Sequence, residues 1–249
     1  MRILRYSFLF IVLCIGISFR SNEVKENSVK VFDNVLLKDS WIKQREALNT
    51  AYLHQLDPER LLHNFRVNAG LPSSAKPPEG WESPDCGLRG HFTGHYLSAC
   101  AVVIKNDGDS RLEKRISYMI DVLAECQQKL GGKYLSAFPE SEFDTLEKKY
   151  GGVWAPYYTY HKIMQGLLDV YTQTGNDKAY GILLNMTDYV DARMSKLPET
   201  EIEKILYSVE ANPTNEAGGM NEVLHNLYSV SKNPKHLKLA EIFDRKWFY

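Results

Sequence analysis

The chain has 249 residues, of which 44% are hydrophobic and 24% are charged, and this composition is ordinary for a globular protein with a sizeable core. The formal net charge is −1, and no run of Lys or Arg is dense enough to neutralise a phosphate backbone. We therefore expect no nucleic-acid partner. Aromatic residues make up 12% of the chain, and they suit either stacking on sugar faces or packing between helices.

A leader opens the sequence. Arg2 and Arg5 precede a stretch of twelve apolar residues, Phe8–Phe19, which is too short to cross a bilayer core. Its length is typical of the hydrophobic part of a signal peptide. We predict a signal peptide at residues 1–21, secretion or delivery to a secretory-pathway lumen, and no membrane span. A buried N-terminal helix is the alternative.

Residues 22–40 are predicted to form an extended lead-in. Asp39 or Ser40 is then expected to cap a first helix, one face of which runs through Trp41, Arg45, Leu48, Tyr52 and Leu56. The turn-rich residues 68–80 are interpreted as a loop, because the composition does not change across them as it would at a domain linker. Residues 41–249 are therefore predicted to form one domain.

From His91 onward the chain repeats one unit, which consists of an apolar helix, a short turn bearing an Asn, and an amphipathic helix. The turn residues are Asn106, Asn176 and Asn233. Apolar residues follow a period of 3.6 in every unit, and no segment after residue 40 alternates as a strand does. Repeated helical hairpins indicate an all-α fold, either an α-solenoid or a closed α/α toroid. The more apolar helix of each unit, before the Asn turn, is predicted to be the inner one.

The last residues, Ala240–Tyr249, read as an amphipathic helix without a C-cap or a polar outer face. Repeat stacks usually end in a unit with a polar outer face. The expectation is therefore either that the chain is a fragment, truncated at its C-terminus, or that something else completes the stack.

The densest local pattern is the glycine-rich segment 80–99. His91 and His95 are i,i+4 neighbours on one helix face. This spacing can bind zinc, but Phe92 stands where the HExxH protease motif has its Glu. We predict no metal here, and we expect packing or a hydrogen bond from His95 to a substrate hydroxyl.

A second segment places four aromatic or imidazole rings around a helix start. Pro156 suits the first position of a helix, so we expect a cluster of Trp154, Tyr157, Tyr158 and His161. Aromatic rings beside a His at the rim of a cavity are typical of sugar recognition. The same rings also suit a tightly packed seam between helices.

A third segment contains the glycine pair Gly218 and Gly219, which would let the backbone approach a pocket closely. Asn221 and Glu222 follow as polar residues on an otherwise apolar helix, where polar groups need partners. A capping role for Asn215 or Glu216 is the alternative explanation of the polar residues here.

Cysteine usage argues against a disulfide framework. Removal of the leader leaves Cys86, Cys100 and Cys126, an odd number without CxxC spacing. A zinc site built from these three alone is not expected. Asn185-Met-Thr187 forms a glycosylation sequon, which is usable only if that face of its helix is exposed.

Four blocks, in order along the chain, resemble glycoside hydrolase family 127 and its relative family 146, the β-L-arabinofuranosidase group. The blocks are LLHNFRVNAG at 61–70, GHFTGHYLSA at 90–99, YYTYHK at 157–162 and GGMNEVL at 218–224. The resemblance covers the chain from about Val35 to its end. It implies an (α/α)6 toroid, of which about the first half is present here, followed by β-domains. It also implies retaining cleavage of L-arabinofuranosyl linkages.

The resemblance also implies a zinc-bound Cys nucleophile, with Glu residues for acid/base chemistry and zinc ligation. Those motifs lie beyond Tyr249, so the catalytic residues, and any zinc, are expected only in the full-length enzyme. An arabinose-containing glycan is the expected partner. The predicted substrate-binding residues are His161, Glu222, Asn221, Trp154, Tyr158 and His95.

Two other classes of protein stay open from the residues. Another α/α-toroid glycosidase would use an inner-helix carboxylate, for which Glu222 or Asp85 would have to serve. A non-catalytic α/α-repeat carbohydrate-binding protein would need only the aromatic rim.

Overall fold

The computed structural model describes residues 37–207 and 216–244. The chain divides into two units, Met1–Lys38 and Asp39–Tyr249, and only Leu37 and Lys38 of the first unit are described. The predicted signal peptide, most of the lead-in, Asn215 and the final residues 245–249 lie outside the described ranges.

The second unit is built from helices. They are α1 (Trp41–Gln55), α2 (Pro58–Asn68), α3 (His91–Asp107), α4 (Ser110–Lys129), α5 (Ser141–Lys149), α6 (Pro156–Thr174), α7 (Asp177–Met194), α8 (Glu199–Tyr207), α9 (Met220–Ser231) and α10 (Pro234–Phe243), with a 3-10 turn at Gly80–Glu82. Residues 37–207 and 216–244 contain no strand, so the all-α prediction is confirmed. None of the helices described combines the length and apolarity that a membrane span requires.

Three hairpins, α3–α4, α6–α7 and α9–α10, share one turn design. The first helix ends on a residue in the left-handed conformation, at Gly108 (φ 66°), Gly175 (φ 73°) and Lys232 (φ 54°). The next residue caps the second helix by accepting backbone N–H groups with its side chain, at Asp109, Asn176 and Asn233. The Asn pattern is therefore right for the second and third turns. In the first turn Asn106 lies inside α3, and Asp109 makes the cap instead.

The first helices of the hairpins lie side by side, with α3 against α6 and α6 against α9, while α4 packs against α7 in a second layer. The first helices therefore form one layer, and α3, α6 and α9 are called the inner helices below. The buried side chains of both layers form one hydrophobic core. At the α3–α6 crossing the two backbones touch, because a Cβ added at Gly94 would lie 2.0 Å from the Lys162 carbonyl oxygen.

Helix α1 forms where the sequence predicts it, capped by Ser40, whose hydroxyl oxygen accepts from the Lys43 N–H. Its predicted apolar stripe is exposed, however, by 72%, 62% and 49% at Trp41, Leu48 and Tyr52. The helix is held at its C-terminal end, where Leu53 is buried and its carbonyl accepts from the Tyr96 hydroxyl. Arg115 donates to carbonyl groups of the same end. Backbone docking, which periodicity cannot report, therefore sets the position of α1.

The sequon on α7 faces a neighbouring helix. Asn185 donates from Nδ2 to Gln127 on α4 at 2.9 Å, and Gln127 is buried. Thr187 is also buried, and its hydroxyl donates to the Leu183 carbonyl. The exposed face that glycosylation would need is therefore not present at this sequon.

Candidate functional site

The N-terminal ends of α3 and α6 meet the turn before α9, and rings from several segments touch there. Ring centroids lie 6.4 Å apart for Trp81 and His91, 6.1 Å for His91 and Tyr158, and 5.5 Å for Tyr158 and His161. The His161 ring in turn contacts the Gly218–Gly219 turn. Residues that are more than 130 positions apart in sequence thus form one continuous cluster.

Glu82 holds the start of α3. Its carboxylate accepts from the backbone N–H of Gly90 at 2.6 Å and of Phe92 at 2.9 Å. The residue at the N-cap position is Gly90, which has no side chain to accept these N–H groups. A negative charge at the positive end of a helix is also favourable. Glu82 therefore caps α3 from outside the helix, in place of the side chain that Gly90 lacks at the N-cap position.

Glu82 also fixes the His91 ring. Nδ1 of His91 lies 2.6 Å from Glu82 Oε1 and 2.8 Å from the Leu88 carbonyl oxygen. Both neighbours are acceptors, so Nδ1 carries the hydrogen. Burial opposes the charged form of His91, but the hydrogen bond and negative charge of Glu82, with the Leu88 carbonyl, outweigh burial and raise its pKa.

His161 lies under the glycine pair and is only 5% exposed. A Cβ at Gly218 would lie 2.6 Å from His161 Nδ1, and one at Gly219 would lie 3.1 Å from Nε2. Gly218 also has φ 58°, in the region that favours glycine. The close approach expected from the glycine pair is therefore an approach to His161.

Burial lowers the pKa of His161 to about 4, and the positive charge of Lys162 adds to this effect, while the Tyr158 carbonyl opposes it. The imidazole is therefore neutral at physiological pH. Nδ1 has no partner with hydrogen-bond geometry among the described residues. A neutral imidazole offers one donor and one acceptor, and because Nδ1 is fully buried, Nε2 is the nitrogen that can meet a sugar hydroxyl.

Lys162 lies with Nζ 5.2 Å from the centre of the Tyr158 ring, a cation–π contact. Tyr158 is half-buried, and burial and the nearby Glu216 raise its pKa. His95 is exposed, with its ring 6.0 Å from that of His91. Burial of part of the ring and the charge of Lys162 lower the pKa of His95.

Trp154 stands at the rim, 44% exposed. Its backbone lies against Gly87, where a Cβ would approach the Trp154 Cβ to 2.9 Å. Between Trp154 and Pro156, the buried Ala155 adopts the left-handed conformation (φ 48°), which costs a residue with a side chain about 1–2 kcal/mol. The surrounding packing therefore holds this rim in a strained backbone.

Asn221 and Glu222, the polar residues predicted to act together on α9, have different surroundings in the structure. Glu222 is exposed, and its carboxylate folds back over the glycine pair, with Oε2 3.2 Å from where a Gly219 Cβ would stand. Asn221 donates instead to Asp244 at the end of α10, at 3.3 Å. The structure thus brings His161, Tyr158 and Glu222 to one place and gives Asn221 a different partner.

The remaining carboxylate and thiol candidates lie in other environments. Asp85 is exposed, and its hydrogen bond from Ser83 lowers its pKa. Burial raises the pKa of the Cys100 and Cys126 thiols to about 12, and Cys86 is half-buried and free. Within residues 37–207 and 216–244, no group of three His, Cys, Asp or Glu side chains could hold a metal ion. The described residues therefore do not fit a zinc site.

Sequence reasoning missed Glu82, Trp81 and Lys162. Glu82 stands nine positions before His91, the first residue of the helix that it caps, so no capping motif includes it. Lys162 lies in the YYTYHK block that carries the family resemblance, directly after His161, and this position could have identified it as a site residue. Trp81 carried no local signal beyond its aromatic ring.

Parallel helical hairpins, with His, Tyr and Glu side chains gathered at one end of the inner helices, define an α/α-type domain with a polar site at that end. The sequence matches the family described as beta-L-arabinofuranosidase, GH127 catalytic domain, over residues 34–249. The chain belongs to this family, and the resemblance drawn from the four sequence blocks is confirmed.

The fold is similar to the crystal structure of Ara127N-Se, a GH127 beta-L-arabinofuranosidase from Geobacillus stearothermophilus T6. The two share 19% sequence identity with a TM-score of 0.60, over 84% of this chain and 32% of that one. The likeness shows a shared fold, and this chain spans about a third of the length of that protein. No curated protein matches the chain.

Proposed function

We propose that the protein is a glycoside hydrolase of the β-L-arabinofuranosidase type and that this chain supplies part of its sugar pocket. The observation that carries the proposal is the buried, neutral His161, which lies against a glycine pair at the mouth of the inner helices of a GH127 domain. L-Arabinofuranosyl-containing glycans are the proposed substrates.

The proposed pocket matches the needs of a sugar. Hydroxyl groups that leave water need fixed polar partners, and one such partner in a buried site is worth about 1–3 kcal/mol. His161 offers its Nε2, the nitrogen that is not fully buried, and Glu222 offers acceptors at the same glycine pair. Tyr158 supplies an aromatic face beside them, and Trp154 and His95 complete the proposed rim.

The nucleophile, and any zinc, are assigned in this proposal to sequence beyond Tyr249. The described residues do not fit a zinc site, and the two buried thiols have pKa values raised to about 12, which keeps them protonated. We accordingly expect the 249-residue chain alone to be inactive. Secretion is part of the proposal, supported by the basic and apolar leader at residues 1–21.

The test is the hydrolysis of p-nitrophenyl β-L-arabinofuranoside by the full-length protein. His161→Ala should lower kcat/KM about ten- to a hundredfold, because a buried hydroxyl partner is lost. His236→Ala is the matched control, since His236 is also buried with its pKa lowered by burial but lies on α10. It should leave kcat/KM within about twofold.

Three results would contradict parts of this proposal. A full-length protein that binds the sugar but hydrolyses no arabinofuranoside would favour a carbohydrate-binding protein. Unchanged kinetics in His161→Ala would remove His161 from the pocket. Hydrolysis by the 249-residue chain alone would place the nucleophile within it.

A further inference from the structure

A cavity opens beside the ring cluster. Its volume is about 350 Å³, and its lining comes from the start of α2, the loop before the 3-10 turn, and the start of α3. His91 and Glu82 belong to the lining, whereas Tyr158, His161 and the glycine pair do not. His91 therefore belongs both to the cavity lining and to the ring cluster that contains His161.

Trp81 gives this cavity an aromatic platform. The side chain is 66% exposed, although its ring lies 6.4 Å from that of His91. An exposed Trp at the mouth of a cavity leaves a broad, amphipathic face open, and such a face suits the C–H surface of a sugar ring.

Polar groups surround the platform. Arg60 is held against the loop by donating to the Lys76 and Pro77 carbonyls, both at 3.3 Å. Three carboxylates, from Asp57, Glu79 and Glu82, line the same cavity. Lys76 pairs with Glu79 at 2.8 Å, which leaves two carboxylates against the single guanidinium. The lining therefore disfavours an acidic sugar, and its donors and acceptors suit the hydroxyl groups of a neutral one.

We propose that this cavity is a second sugar subsite, which holds a neutral glycosyl unit of the same glycan with Trp81 as its stacking platform. The inference rests on the proposed function, since it extends the pocket at His161 by one neighbouring unit. The volume lies near the lower end of the about 300–1,000 Å³ of small-molecule sites, which is room for a small sugar. The His91 ring, fixed by Glu82, is shared by the cavity lining and the ring cluster around His161.

The experiment compares two substrates of the full-length protein. Methyl β-L-arabinofuranoside has an aglycone too small to fill the cavity, whereas an arabinofuranosyl disaccharide can occupy both subsites. Trp81→Ala should lower the ratio of the disaccharide kcat/KM to the methyl glycoside kcat/KM about tenfold, as expected for the loss of one stacking partner. Trp81→Phe should restore most of the ratio. Trp41→Ala, which removes a Trp that is 72% exposed on α1, is the control and should leave the ratio unchanged.

An equal loss on both substrates in Trp81→Ala would overturn the second subsite while leaving the proposed function intact. If the wild type hydrolyses neither substrate, the proposed function is wrong, and calorimetric titration with the disaccharide decides the subsite. Weaker disaccharide binding by Trp81→Ala than by Trp41→Ala would then support it. Equal binding, or no binding by the wild type, would overturn it.

Discussion

The α3–α6 crossing gives the sharpest prediction about stability, because backbone meets backbone there. In Gly94→Ala the new Cβ would lie 2.0 Å from the Lys162 carbonyl oxygen and 2.8 Å from the Ile163 nitrogen. No rotamer change can relieve this overlap, so the two helices must move apart. Gly166 faces the same crossing, with the Gly94 carbonyl oxygen 2.5 Å from where its own Cβ would be.

The magnitude follows from two opposing effects. Overpacking a core typically costs about 1–3 kcal/mol, and a clash with backbone belongs at the upper end of that range. Alanine in turn favours a helix interior over glycine by about 1 kcal/mol. We therefore expect Gly94→Ala to lower the free energy of unfolding by about 2 kcal/mol.

The assay is urea unfolding of the full-length protein, followed by far-ultraviolet circular dichroism. Gly181→Ala is the matched control, because Gly181 lies in α7 with no atom within 4 Å of an added Cβ. The control should gain about 0.5–1 kcal/mol from helix propensity alone. If Gly94→Ala were as stable as Gly181→Ala, the close crossing would be refuted.

Two further predictions concern stability. Lys232→Gly should raise the free energy of unfolding by about 0.5–1 kcal/mol, since Lys232 has φ 54°, whereas Lys238→Gly within α10 should lower it in the same urea assay. The pKa of His161 is about 4 in the folded protein and near 6.5 when unfolded, so the unfolded state binds the proton first as pH falls. Stability should therefore drop by about 3 kcal/mol between pH 6.5 and pH 4, and an equally steep drop in His161→Gln would contradict this.

What the sequence predicts well is local. The period of 3.6 gives the helices, and caps such as Ser40 and Asn176 bind N–H groups three residues ahead. The pairing of inner helices also follows, because the inner helices are the more apolar ones. The sequence predicts that His161 and Tyr158 lie close together, because they are three residues apart on one helix.

What the sequence does not predict depends on contacts across the fold. Glu82 reaches α3 from a separate turn, and His161 meets Gly218, 57 positions later in the chain. The stripe from Trp41 to Tyr52 has helical spacing but is not buried, because periodicity shows which residues share a face and not whether that face has a partner. Lys232 adopts the left-handed conformation at the turn position where the other two hairpins have Gly. A Lys gives no sign of this conformation, so the sequence does not predict it.

The two ends of each hairpin are stabilised in different ways, and this explains where the site lies. The second helices, α4, α7 and α10, all begin at Asp or Asn caps, which satisfy their N–H groups within the turn. The inner helices begin after Gly90, Ala155 and Gly219, none of which makes a side-chain cap. The N–H groups of the inner helices therefore need partners from elsewhere, and Glu82 is such a partner for α3. Because their positive ends gather at one side of the layer, that side favours oxygen-rich groups, and the histidine cluster and the proposed sugar pocket lie there.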